Sequence, residues 1–491
     1  MPRRFSCLSS SMLVAITALI LFSNATFAQS NPYGRVDPIE ASISVLRRSV
    51  GGAGTPANVG ELAGLHLPGF SSILQAGMTN PSPPMRVRAA VSLANEGESI
   101  PLLLSRLDSP DERGAFIIAV FSDGLIEPSI AGTIADGNFT NDVALAVLLA
   151  LADRDQDTDR LSRLAVDQDA AWLTRGIAAA SLDQRGTSAI EGWFQALSKL
   201  TPAEHDRNVF EMLAIAERLG FDVAIERMEP LIGPRPSNDA LRAALVESLL
   251  ELAPEDGISA WKSMLADCPE DGRSTPIGML LVSAGQPAPK ETKGRFPSGD
   301  KMSEAISELI FAAPDQRLQA SIAAIELGHR PTMIWAMAKA EEMANLALLE
   351  AIFDSASRST RNGIERFAIR ASEALAAAAP SELGRRLVDQ EDPAVIDFIF
   401  RGLIAAGTPE AAAEARPYLE ASDRTTRSLA LLAVARAADL DESQIRLLGR
   451  AAAGGGGLPP DLRPLAAWLF LEASGELQNS IPRIIECIIE S

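Results

Sequence analysis

The chain has 491 residues, of which 5% are aromatic, and its 64 acidic and 44 basic side chains give a formal charge of −20. A surface this acidic excludes ordinary binding to nucleic acid or anionic membrane, which needs positive potential, and leaves basic protein segments or cations as complementary partners. Length allows several domains or one extended array, and either would bury a sufficient core.

Residues 1–28 read as a secretory signal peptide. Arg3 and Arg4 form its positive region, Met12 to Phe22 its apolar run, and Thr26 and Ala28 the small-residue positions of a cleavage site, which predicts a cut after Ala28. The apolar run is shorter than the roughly 20 residues that span a bilayer. No later segment reaches that length, so the expected mature chain is periplasmic or secreted and has no integral membrane segment. Cys7 leaves with the signal. Cys268 and Cys487 are expected as free, mostly buried thiols, because an extended array would hold them beyond disulfide reach.

Residues 29–68 predict a leader with one short helix, PIEASISVLRR, before the breaker GGAGTP. From residue 69 onward, runs of 10 to 14 residues carry apolar side chains at spacings of three and four, with no competing alternation. Short breakers such as DSPD (108–111), EDP (391–393) and GTPE (407–410) separate them. An all-α chain follows, with Asp or Ser capping helix starts and Gly closing helix ends.

The runs repeat. An Arg is followed eleven positions later by Gly at Arg86 and Gly97, Arg113 and Gly124, Arg175 and Gly186, and Arg317 and Gly328. Looser copies run from Arg242 to Ala253, Ser274 to Gly285, Ile396 to Gly407 and Arg427 to Ala438. The markers 97, 124, 153, 186, 220, 253 and 285 are separated by 27, 29, 33, 34, 33 and 32 residues, the period of helix pairs stacked into an α-solenoid. Alanines at helical spacing let neighbouring helices approach, Leu93 or Leu182 fills the groove between units, and Gly permits the reversal. The recurrent Arg is expected to reach an Asp or a free carbonyl in the adjacent turn, with Asp111, Asp315 and Asp423 nearby.

These Arg-to-Gly segments resemble the second helix of a HEAT repeat, in particular the short HEAT-like type of phycobilisome lyases. ESIPLLLSRL (98–107) resembles the first helix of the next unit, and SPDERGAF (109–116) the turn ahead of the Arg. The resemblance covers about Gly69 to Ser474 and implies a superhelix of stacked antiparallel helix pairs. Tetratricopeptide-like units, with a similar period, call for Tyr and Trp at fixed places; this chain has only Tyr33 and Tyr418, so such units are expected locally at most within the HEAT-like array. QPAPKETKGRFPSGDK (286–301) reads as a loop or hinge dividing an array of 69–285 from one of 302–491. AAAGGGGLPP (451–460) lacks the Lys-Ser/Thr ending of a phosphate loop.

No catalytic, cofactor-binding or metal-ligating constellation emerges. His66, His205 and His329 lack ligand spacing, and DRDQDTD (153–159) lacks the central Gly and final Glu of a calcium loop. Asn138 begins a glycosylation sequon, and Trp172, Trp193, Trp261, Trp335 and Trp468 are expected in the core. The expected function is that of a non-catalytic scaffold binding envelope proteins, among them proteins with basic segments. A ligand- or chromophore-handling role, implied by the lyase resemblance, and a passive spacer are the alternatives.

Overall fold

A computed structural model describes residues 37–50, 62–137, 141–232, 239–268, 274–359 and 363–490. Every regular element among them is helical, without a strand, so the fold is an all-α helical repeat. The expected signal peptide and Asn138 lie outside the described residues. Two compact units divide the described residues, one built on Ala94–Ala320 and the other on residues 37–93 together with 321–490.

In the Ala94–Ala320 unit, first helices (Pro128–Ala135, Thr158–Val166, Ile190–Leu197, Asp222–Ile232, Pro254–Asp267) alternate with second helices. The second helices Pro110–Ser122, Asp142–Ala152, Trp172–Gln184, Pro202–Leu219, Asp239–Leu252 and Ser274–Ser283 each pack on the next in a continuous row. Small side chains make this possible. Ala178, Ala179 and Ala180 are buried together with Leu182, so the backbones approach closely and the leucine fills the remaining groove.

The markers turn where the period places them. Gly97, Gly124, Gly186, Gly220 and Gly285 all have left-handed φ angles between 71° and 94°, and Asp153 takes the same region at 46°. Ala253 does not: its φ is −132°, because Pro254 begins the next helix at once and bars helical geometry at the preceding residue.

Of the recurrent arginines, Arg86, Arg113, Arg317 and Arg427 reach main-chain carbonyls, whereas Arg242 pairs with the Asp267 carboxylate at 3.0 Å. Arg86 donates to the Asn80 carbonyl at 2.5 Å and Arg113 to that of Leu107 at 3.0 Å, each six residues back. Asp423 instead caps its own helix, accepting from the Thr426 N–H at 2.7 Å. A second set of side chains ties later segments to earlier ones through carbonyls at or just past a helix end. Arg185 donates to the carbonyls of Arg154 (2.8 Å) and Leu149 (3.4 Å), and Gln286 to that of Leu250 (3.1 Å). Arg317 donates to the carbonyls of Leu281 (3.1 Å) and Gln286. Arg218 also reaches the Ser122 carbonyl at 2.6 Å. The ends of Pro110–Ser122 and Pro202–Leu219 therefore converge across two intervening second helices, which at 8–10 Å per packed helix a straight row would forbid.

The segment expected as a hinge, 286–301, is a packed connection inside this unit. Phe296 is buried against Trp261 and Phe311, with ring centroids at 6.5 and 5.4 Å. Arg295 donates to the carbonyls of Leu265 (3.0 Å) and Cys268 (2.9 Å). The division between the units falls later, at Ala320. Cys268 is buried and not disulfide-bonded, and the Cys487 side chain lies outside the described residues.

In the other unit the expected leader is structural. Helix Pro38–Val50 packs on Glu442–Ala452, Arg463–Ala473 and Leu477–Glu490, burying Ile43, Leu46 and Val50. Arg483 forms a bidentate pair with Glu40 at 2.6 and 2.8 Å, Phe70 meets Trp468 edge-on at 5.2 Å, and Arg436 donates to the Leu65 carbonyl at 3.2 Å. The row Glu365–Ala378, Pro393–Ala406 and Arg424–Ala435 forms the body. The glycine run at 454–457 lies on the start of its last helix, where Ser428 donates to the Gly456 carbonyl at 2.8 Å.

Candidate interaction surface

The first units of the Ala94–Ala320 body concentrate charge. Residues 96–169 hold 15 acidic side chains and 5 arginines, a net −10, half of the charge of the whole chain. Glu96, Asp108, Asp111, Asp123, Glu127, Asp136, Asp142, Asp153, Asp155, Asp159, Asp167 and Asp169 are exposed, against only Arg106 and Arg163 among the bases.

Some of these acids have a local purpose. Asp111, Asp142 and Asp159 stand in the first turns of their helices, where a carboxylate complements the positive end of the dipole. Four others stand at the opposite end. Asp123, Asp136, Asp153 and Asp167 are the C-caps of the successive helices Pro110–Ser122, Pro128–Ala135, Asp142–Ala152 and Thr158–Val166. There the dipole is negative and a carboxylate is disfavoured, so helix stability does not account for the run. Helix ends in the other unit carry Arg358, Arg416 and Arg436 instead.

Within DRDQDTD the carboxylates are bridged by guanidiniums. Arg154 pairs with Asp136 at 2.7 Å and with buried Asp157 at 2.8 Å, and Arg160 lies 3.6 Å from Asp157. Its pair with Arg154 holds the Asp136 carboxyl below the usual range. Asp123 and Asp167 show no ion pair of this kind among the described residues, and Asp167 accepts only the N–H of Asp169, at 2.9 Å.

The histidines stand apart from one another. His66 is exposed in a turn, His205 Nδ1 lies 3.1 Å from Asp206, and His329 Nδ1 lies 2.7 Å from the Thr332 hydroxyl. Among the described residues no group of three or more His, Cys, Asp or Glu has metal-holding geometry, and no helix is long and apolar enough to cross a membrane. Trp193, Trp261, Trp335 and Trp468 are core residues, whereas Trp172 is half-buried.

A further acidic group went unremarked in the sequence because its members come from different helices. Glu217 ends Pro202–Leu219, and Glu247, Ser248 and Glu251 lie on the neighbouring Asp239–Leu252. The Ser248 hydroxyl donates to Glu217. Burial, together with the charge of Glu251, pushes the Glu217 and Glu247 carboxyls up to about 7.

No family model and no curated protein matches the chain. A crystal structure described as that of an engineered protein aligns with 93% of this chain and 100% of its own at 14% identity, with a TM-score of 0.15. A likeness this slight carries no functional argument.

Proposed function

We propose that this protein is an exported, non-catalytic scaffold of the cell envelope, a HEAT-like array that recruits envelope proteins through their basic segments. The observation that carries the reading is the run of four helices ending on exposed aspartate, within a stretch holding half the net charge. Asp136 and Asp153 are paired with Arg154 and Arg185, but at Asp123 and Asp167 charge placed against the helix dipole serves something other than the fold, and a row of carboxylates on a repeat array suits distributed recognition of a cationic chain. The N-terminal pattern supports export, with a mature terminus at Gln29.

Crosslinking in the native host followed by mass spectrometry tests the reading, paired with the double variant Asp123→Asn, Asp167→Asn. The variant should lose partner capture while melting no lower than the parent, since it removes unfavourable helix-end charge. Binding should also weaken steeply with salt. Undiminished capture by the variant would overturn the assignment of this surface, and a cytoplasmic, uncleaved protein would overturn export.

A further inference from the structure

The first turn of helix Trp172–Gln184 differs from its counterparts in the repeat. Arg86, Arg113 and Arg317 each donate to a main-chain carbonyl, but Arg175 makes no such bond among the described residues. Its guanidinium is folded back over the ring of Trp172, 3.7 Å from the centroid. The residue is only 5% exposed, and its Nε is buried without a hydrogen-bond partner. The hydroxyl of Thr174, fully buried in the same turn, is also without one.

The helix end itself is open to an acceptor. Ala171 occupies the N-cap with extended geometry (φ −56°, ψ 148°) and no side-chain oxygen, so no side chain caps the first-turn N–H groups. Related starts are capped internally by Ser109, Asn141 and Asp392. A buried cation, orphan donors and the positive end of a 13-residue helix thus coincide beside the one half-buried tryptophan.

We propose that this turn is a carboxylate-binding site, with Arg175 as its principal donor, Trp172 as its wall and the first-turn N–H groups completing it. A planar carboxylate matches the guanidinium fork. Asp167, close enough to act on the Arg175 charge, opposes a second negative charge and favours a monoanion over a phosphate dianion. The carboxylate comes either from a small molecule or from the C-terminus of a peptide.

The test is titration of the full-length mature chain with acetate at constant ionic strength, read from the Trp172 amide and indole NMR signals. Chloride and inorganic phosphate serve as controls. Acetate should give saturable shifts, chloride none and phosphate weaker ones. Arg175→Lys, which keeps charge but loses the fork, should weaken acetate binding about tenfold. Ala171→Asp places a competing carboxylate on the open turn and should abolish binding in a protein that still folds. Arg113→Gln should lower stability but leave the response intact. Acetyl-dialanine should bind with a free C-terminus and not as its amide if a peptide end is the source; acetate binding alone assigns the small molecule. Equal shifts with chloride, or full acetate binding by Ala171→Asp, would overturn the site.

Discussion

Glu217 and Glu247 give this protein a pH dependence opposite in sign to ordinary acid denaturation. Both carboxyls are pushed from 4.5 to about 7 where two second helices meet. The adjoining helix Ser274–Ser283 has no titratable side chain, and the guanidinium of Arg218 is engaged with the Ser122 carbonyl. A folded-state pKa above the unfolded value means that the native state holds its proton longer. This contribution is complete below about pH 4.5 and is lost as pH rises through about 7. Each displacement is worth about 3 kcal/mol at the limit, and with partial solvent access and mutual coupling the pair should cost about 2–4 kcal/mol in all. Carboxylates held low, such as Asp300 and Asp441, act below this window. Half-buried His329, whose pKa is pushed down by desolvation, acts within it with the opposite sign. Comparing the parent with Glu217→Gln/Glu247→Gln isolates the pair, since glutamine keeps the shape and the acceptor for Ser248. Urea midpoints at pH 5 and pH 8 should converge in the variant. A variant whose midpoint falls between pH 5 and pH 8 as steeply as the parent's would refute the reasoning.

Four further outcomes follow from packing. Leu46→Ala, in the helix expected as a leader, should cost about 2–5 kcal/mol and deprotect Arg463–Ala473 in hydrogen exchange, because Leu46 is only 1% exposed. Gly186→Ala should cost about 1 kcal/mol in denaturant titration from left-handed strain alone, since nothing lies within 4 Å. Gly402→Ala should cost more, because its methyl would sit 2.5 Å from the Ser372 carbonyl oxygen. Arg185→Met, which removes the guanidinium from the carbonyls of Leu149 and Arg154, should lower the thermal midpoint through a loss of about 1–3 kcal/mol.

What was legible in the sequence is what local physics writes there. Gly97 and Gly186 had to be glycine because a helix pair reverses at a left-handed residue, and the period then placed Asp153 in the same role. Ala344, also left-handed at φ 48°, escaped notice because it lacks the glycine and stands only 16 residues past Gly328, out of step with the period. The latches of Arg185 and Gln286 were invisible for another reason: a carbonyl 36 residues back leaves no mark on the letters that approach it. The acidic stretch could have been found by counting charge in windows. The burden at four C-caps appears only once the helix ends are known.

The packing of Pro38–Val50 extends that argument from local signals to topology. Its apolar face, with Ile43, Leu46 and Val50, is that of any amphipathic helix, and nothing in thirteen residues names the surface that covers it. That surface, Glu442–Ala452 with Arg463–Ala473 and Leu477–Glu490, lies about 400 residues away, so the contact carries a loop-closure cost that neighbouring repeats avoid. A unit assembled from both ends cannot complete itself until the last helices exist, whereas Ala94–Ala320 is continuous and has no such constraint. Formation of the Glu40–Arg483 pair should therefore lag behind formation of the Arg185 latch in refolding followed by pulsed hydrogen exchange, and simultaneous protection of the two would contradict the topological argument.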